Sequence, residues 1–333
     1  MTAKYDVYGL GNALLDIEYE VTDAFLEKMG ISKGIMTLVD EKRQDELSAN
    51  LDNIHAKKGC GGSAANSIIA ISQFGGKAFY SCKVANDYFG DFYLSDLQRW
   101  GVETNLSESG REAGKTGKCM VMITKDAERT MNTYLGITET FSKKELVDEV
   151  IINAKWIYIE GYLVTSETGR AAAGHAHKLA ANAGVGVALT LSDPMIVKHF
   201  KAGFEEVIQE GVDLLFCNEQ EALQFSGASN VLAAGEALKK ISKAFAITLG
   251  ERGAYLFDGI KTHNISTDKV VARDTNGAGD MFAGAFLYAL TNGRSFESAA
   301  QFACHAASVI VQRSGARLEM FDIKNIKNKL NKI

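Results

Sequence analysis

Asp274-Thr275-Asn276-Gly277-Ala278-Gly279-Asp280 runs directly into Met281-Phe282-Ala283-Gly284-Ala285-Phe286-Leu287, an apolar stretch of helical character. A turn of small residues that opens a helix leaves the first N–H groups without intrahelical acceptors. Together with the helix dipole, those groups favour an anion. Gly277 and Gly279 lack a Cβ and Ala278 has the smallest one, so the amides of Gly277, Ala278 and Gly279 can lie close to a phosphoryl group and stabilise its charge. Asp280 falls at the edge of this anion hole, in the first helical turn, where an ionised carboxylate is favoured. The expectation is a low pKa and a modest catalytic base, which suffices for a loose phosphoryl-transfer transition state. The plain alternative is a Gly-rich turn with an Asp near the helix start.

Around this string the composition is that of a globular chain with ample core. There are 333 residues, 46% hydrophobic and 23% charged, with a net charge of −5. No basic run stands out apart from Lys residues near the C terminus, which argues against nucleic-acid or anionic-membrane partners. No stretch reads as a membrane span or a signal-peptide core. Cys60, Cys82, Cys119, Cys217 and Cys304 are widely spaced and sit mostly in apolar segments, the pattern of buried free thiols in a reducing cytoplasm.

The spacing predicts strands at Tyr5 to Leu10, Ile17 to Val21, Met36 to Val39, Lys118 to Thr124 and Arg129 to Tyr134, and a helix over Ser63 to Phe74. From about residue 154 strands and helices alternate. Strands at Trp156 to Ile159, Val185 to Leu191, Asp213 to Cys217 and Ala244 to Thr248 are separated by helices at Glu167 to Asn182, Ile196 to Gln209 and Glu219 to Phe225. Two long helices follow, at about 278–292 and 295–311. This rhythm implies an α/β fold with a mostly parallel sheet between helical layers. The strands near 16–39 and 118–134 do not fit the rhythm and read as a small β appendage on one domain.

Four further segments carry candidate chemistry. In Gly59-Cys60-Gly61-Gly62-Ser63-Ala64-Ala65-Asn66, Gly61 and Gly62 offer bare backbone to a small polar ligand, and Asn66 lies one turn into the helix with an amide that donates and accepts. In Gly9-Leu10-Gly11-Asn12-Ala13-Leu14-Leu15-Asp16 the dinucleotide fingerprint fails at Leu14, and Asn12 and Asp16 read instead as partners of a polyol. Asn218-Glu219-Gln220-Glu221 follows a strand and suits water-mediated Mg²⁺ binding, or equally a helix capping box. Thr248-Leu249-Gly250-Glu251-Arg252-Gly253 is a glycine turn that suits nucleotide phosphates and ribose.

In this order the five segments resemble the ribokinase-like (PfkB) family of sugar and nucleoside kinases, over nearly the whole chain. The Asp274–Asp280 and Gly61–Asn66 strings look like its two signatures. The resemblance implies a three-layer α/β/α domain over 1–333, with a β-sheet lid contributed by about 12–50 and 115–138, and ATP-dependent phosphorylation of a hydroxymethyl group. Carried over, Asp280 is the catalytic base, with Gly277, Ala278 and Gly279 as the anion hole. Asn12, Asp16, Gly61, Gly62, Ser63 and Asn66 hold the acceptor. Asn218, Thr248, Gly250 and Gly253 lie at ATP, with Glu221 supporting Mg²⁺ through water and Asp274 a monovalent cation such as K⁺. The Gly11–Asp16 spacing and Asp274-Thr275-Asn276 look like the adenosine-kinase branch, whereas the Thr248–Gly253 turn and Lys83–Gly90 look like bacterial sugar kinases. The acceptor is thus adenosine or a related nucleoside, or else a free sugar such as ribose or fructose. Adenine would call for aromatic partners, for which Tyr134, Phe141 and Tyr162 are candidates. A cytoplasmic enzyme is expected, either a monomer or a homodimer formed through the lid. A silent regulatory homologue is disfavoured by the intact Asp280 and glycines.

Overall fold

The computed structural model describes residues 3–51, 56–107, 109–126 and 128–330. In chain order the strands are β1 (Tyr5–Leu10), β2 (Leu14–Glu20), β3 (Met36–Leu38), β4 (Ala56–Gly61), β5 (Ala78–Ser81), β6 (Glu103–Thr104) and β7 (Thr116–Ile123). There follow β8 (Arg129–Gly136), β9 (Ala154–Ile159), β10 (Gly186–Thr190), β11 (Val212–Asn218), β12 (Ser242–Thr248), β13 (Ala254–Phe257) and β14 (Thr262–Ile265).

A nine-stranded sheet has the order β14-β13-β12-β11-β10-β9-β1-β5-β6. Its pairings are parallel from β12 to β6, and β13 and β14 add an antiparallel edge. The interior strands are apolar on both faces, as expected for a parallel sheet covered on both sides. In β11, Leu214 and Phe216 join the core under the helices Ser63–Gln73, Ala278–Thr291 and Phe296–Ile310. Leu215 and Cys217 join the opposite core under Glu167–Asn182, Pro194–Ile208 and Glu219–Ser226. The expected α/β layering and the strand–helix rhythm after residue 154 are therefore present.

The second sheet has the order β3-β8-β7-β2-β4. Its register sorts side chains between two faces: Cys119 and Val121 look into a cleft shared with the large sheet. Met120 and Met122 pack outward with Leu26, Leu47 and Leu51. Strand β4, Ala-Lys-Lys-Gly-Cys-Gly, was not anticipated, because glycine and lysine carry little strand propensity. It forms through pairing with β2, in which Asp16 opposes Gly59 and Leu14 opposes Gly61. The helices Asp23–Lys28, Glu41–Leu51 and Tyr88–Arg99 were likewise not anticipated. All five cysteines are buried and free. Among the described residues, no helix is long and apolar enough to cross a membrane.

Candidate active site

The carboxyl ends of the central strands meet the inner face of the second sheet around a cleft of about 310 Å³. Ligand sites of open α/β sheets form at such strand ends. Of the residues singled out above, Asn12, Asp16, Gly62, Ser63, Asn66, Asn218, Glu221, Thr248, Gly277, Gly279 and Asp280 line it. Gly61, Ala278, Gly250, Gly253 and Asp274 lie outside its lining.

Asp280 is fixed by the helix that carries the second glycine segment. The Ser63 hydroxyl donates to Asp280 Oδ1 at 2.6 Å, and Asn66 Nδ2 donates to Oδ2 at 3.0 Å. Gly284 makes this approach feasible: a Cβ there would lie 2.5 Å from the Ser67 carbonyl oxygen and 2.8 Å from Ala70 Cβ. The low pKa expected for Asp280 is not what its surroundings produce. Desolvation pushes its carboxyl up to about 6, and the hydrogen bonds from Ser63 and Asn66 offset this in part. Removal from water outweighs the favourable position at a helix start. The result is a stronger base than anticipated, ionised over the neutral range.

The two glycines of the anion loop do different work. Gly277 has φ 73°, and a Cβ there would collide with Ala316, so the backbone itself demands glycine. Gly279 has nothing within 4 Å of its Cβ direction, so the missing side chain leaves room in the cleft. No side chain caps the Ala278–Thr291 helix. The Ala278 N–H turns back to the Thr275 carbonyl at 3.2 Å, so it is the most committed of the three proposed anion-hole amides. Asp274 is buried, and its carboxylate accepts from Arg129 (2.6 Å), the Gly315 N–H (2.8 Å) and the Asn276 N–H (3.0 Å). The carboxylate expected to support a monovalent cation is thus ion-paired with Arg129.

On the acceptor side, Asp16 projects from β2 against Gly61, where a Cβ would overlap the carboxylate. Burial pushes the Asp16 carboxyl up to about 7 against the pull of Arg317. Gly62 has φ 97°, with the Asn12 carbonyl where a Cβ would be. Asn12 is held on every side: its N–H donates to Glu160 at 2.6 Å, its carbonyl accepts from Tyr80, and its Oδ1 accepts from Thr138. Glu160, at the end of β9, was missed by the sequence reading. It is 1% exposed, lines the cleft, and also accepts the Ala64 N–H at 2.9 Å. Burial pushes its carboxyl up to about 7. A charged residue closing the apolar run Trp156-Ile157-Tyr158-Ile159 was the available signal.

Asn218 and Glu221 form a capping box. Asn218 Oδ1 accepts the Glu221 N–H at 2.8 Å, and the Asn218 N–H and Nδ2 donate to the two Glu221 oxygens at 3.0 and 2.6 Å. Both residues also line the cleft, so the structural and functional readings coexist. Gly250 (φ 60°) and Gly253 (φ 89°) shape the turn between β12 and β13. Ser192, also unanticipated, lines the cleft with φ 67°, a strained conformation for a residue other than glycine. Among the described residues no three His, Cys, Asp or Glu side chains converge on a point that could hold a metal. Both Glu221 oxygens are taken by Asn218, so water would have to carry any link from this carboxylate to a metal.

Opposite this polar floor the lid wall is mostly apolar: Leu14, Met36, Leu38, Val121, Met131 and Leu135 face the cleft, with Asp16 and Thr133 as its polar members. Of the aromatic candidates, Tyr162 lines the cleft. Phe141 is fully buried in the core beneath the central sheet. The Tyr134 hydroxyl binds Glu41 at 3.2 Å, outside the cleft lining. The expected aromatic wall is thus aliphatic and sulfur-rich, because alternate positions of β7, β8 and β3 supply it.

The family model described as pfkB family carbohydrate kinase matches residues 24–322. Adenosine kinase 2 of Arabidopsis thaliana is 29% identical, with 94% of this chain and 96% of that protein covered. Two solved structures superpose with a TM-score of 0.89. A probable sugar kinase from Rhizobium etli CFN 42 is 32% identical and covers 99% of this chain and 100% of its own. An adenosine kinase from Sinorhizobium meliloti is 33% identical and covers 97% and 99%.

Proposed function

Because the chain belongs to the pfkB family of carbohydrate kinases, ribokinase-like enzymes that use ATP to phosphorylate a hydroxyl of a sugar or nucleoside, we propose that its acceptor is a nucleoside, adenosine first, phosphorylated at the 5′-hydroxyl. The observation that carries this reading is the contrast between the two walls of the cleft. Polar groups of Asn12, Ser63, Asn66 and Asp280 on the floor, with Asp16 reaching in from β2 of the lid sheet, suit ribose, and the wall of Met36, Val121, Met131 and Leu135 suits a flat base. A free sugar would set hydroxyls against that wall without partners, which is unfavourable.

In this mechanism Asp16 and Asn12 grip the ribose hydroxyls and orient the 5′-hydroxyl toward Asp280. Asp280, held by Ser63 and Asn66, takes the hydroxyl proton as the 5′-oxygen bonds to the γ-phosphorus of ATP and the bond from that phosphorus to the bridging oxygen breaks, so that ADP leaves. The N–H groups around Gly277 and Gly279 hold the charge on the phosphoryl oxygens. Asn218, Glu221 and Thr248 would lie at ATP and its magnesium, which would supply neutralisation of phosphate charge. The lid wall excludes water from the reacting oxygen.

The test is ADP release with adenosine, inosine, guanosine, ribose, fructose and fructose phosphates. Turnover with adenosine well above that with free sugars is expected. Turnover with ribose or fructose and none with any nucleoside would overturn the proposal.

A further inference from the structure

An asparagine amide can sit in either of two orientations related by a half-turn, and one of them alone presents Nδ2 to Asp280. What fixes Asn66 comes from far along the chain. Arg317 Nε donates to Asn66 Oδ1 at 3.3 Å, and a guanidinium has no acceptor to offer the reversed amide. Arg317 Nη1 is ion-paired with Asp96 of the Tyr88–Arg99 helix, and its side chain is 17% exposed. Nη2 is buried and has no protein partner among the described residues. Arg317 is also the leading favourable charge acting on the Asp16 carboxylate. Its two predecessors meet the anion loop: the Gly315 N–H donates to Asp274, and Ala316 fills the space over Gly277.

We propose that Arg317 is a positioning residue of the acceptor site, which acts through Asn66 by holding the amide in the orientation that donates to Asp280 while its charge supports Asp16. The proposal rests on the reading of Asp280 as the base. Residues 315–317 then brace the acceptor grip and the anion loop together, although they belong to neither signature string.

The experiment is the pH dependence of kcat/KM for the acceptor in the wild type, Arg317→Gln and Arg317→Lys, with melting temperatures measured alongside. The charged and titratable groups that share the site with Asp280 are Asp16 from β2, Tyr158 and Glu160 from the β9 end, Tyr162, and Glu221 from the Glu219–Ser226 helix. Loss of one donor to the ionised base should move the acid limb upward by about one pH unit in both variants. Lysine keeps the charge but not the planar fork. Acceptor KM should rise by roughly tenfold with the KM for ATP unchanged, as for weakened hydrogen bonds to a charged group. Asn66→Ala with Arg317→Lys should shift the limb no further than Asn66→Ala alone, since lysine keeps the charge that supports Asp16 and residues acting as one unit are not additive. A wild-type limb and acceptor KM in the Arg317 variants, even with a lowered melting temperature, would overturn the proposal, as would additive shifts. If Arg317→Gln does not fold, Arg317→Lys decides the matter. Failure of the base reading is seen separately, as near-normal turnover in Asp280→Asn.

Discussion

The floor and the roof of the cleft are built on opposite plans. The floor uses polar groups at fixed offsets in two glycine-rich strings: Ser63 and Asn66 on one helix, and Gly277, Gly279 and Asp280 at the start of another. The roof uses alternate apolar residues of β2, β3, β7 and β8, which any half-buried sheet could carry. The difference separates two tasks. A group that moves a proton or holds a phosphoryl must be one particular residue in one place, whereas a wall that receives a flat apolar surface needs area and shape. On the proposed reading the floor would set the reaction and the roof would select the acceptor.

That division breaks first at Asp280. Asp280→Asn should lower kcat by about a hundredfold or more for every acceptor, as expected for loss of a general base, while ATP binding measured by calorimetry persists. Equal loss across acceptors assigns the residue to the floor's task; a near-normal rate would remove it from the mechanism.

The two loop glycines sharpen the floor itself. Gly279→Ala places a methyl in open space, so its melting temperature should hold. Its kcat should fall by roughly tenfold to a hundredfold, because the methyl crowds the position where donors stabilise the phosphoryl group. Gly277→Ala should instead be destabilised by at least about 1–2 kcal/mol, the cost of a left-handed alanine, with further loss from contact with Ala316. If both variants lost stability alike, the distinction between a backbone glycine and a ligand glycine would fail.

The roof is probed by Met131→Gln, which keeps length and adds polarity. Nucleoside KM should rise by about tenfold, in line with setting an unpaired amide against an apolar surface, whereas any slow turnover of ribose should be unaffected. An unchanged nucleoside KM would show that the base lies elsewhere.

The smallest expected effect concerns stability and pH. Asp280 is raised to about 6, and Asp16, Glu160 and Glu221 to about 7, in each case chiefly by burial. A folded-state pKa above the unfolded value means that the native protein holds the proton more tightly. The associated stability is complete below about pH 4 and lost as pH rises through 6 to 7. The unliganded protein should therefore melt at a higher temperature at pH 5.5 than at pH 8, with nucleotide and magnesium reducing the difference. The opposite slope would mean that these carboxyls are well solvated.

The same contrast explains what the sequence made legible. Small residues, Asp280 and the helical offset from Ser63 to Asn66 obey short-range rules, so the floor could be read as a string. The central strands were legible because burial on both faces leaves continuous apolar runs. Strand β4 was not, since Lys57, Lys58 and Gly59 adopt their conformation from pairing with β2. Glu160 and Arg317 were missed because each acts through contacts with residues distant in sequence. The roof's strands were legible but its cleft-facing side chains were not, because Val121 and Met122 look alike until the register assigns one to each face. The low pKa expected for Asp280 failed for a related reason: helix position is local, but desolvation is set by the whole cleft.

Asn12 stands between β1 of the large sheet and β2 of the small one, and Gly62 stands between β4 and the helix that carries Ser63 and Asn66. The chain thus enters the lid and leaves it a first time through segments proposed to hold the acceptor, and a second time between β6 and β7 and between β8 and β9. A tilt of the small sheet would turn about those crossings and carry Asp16 with respect to Asp280. On the proposed mechanism such a tilt would couple gripping the substrate to drying the reaction, so a molecule too short to span floor and roof would sacrifice turnover as well as affinity.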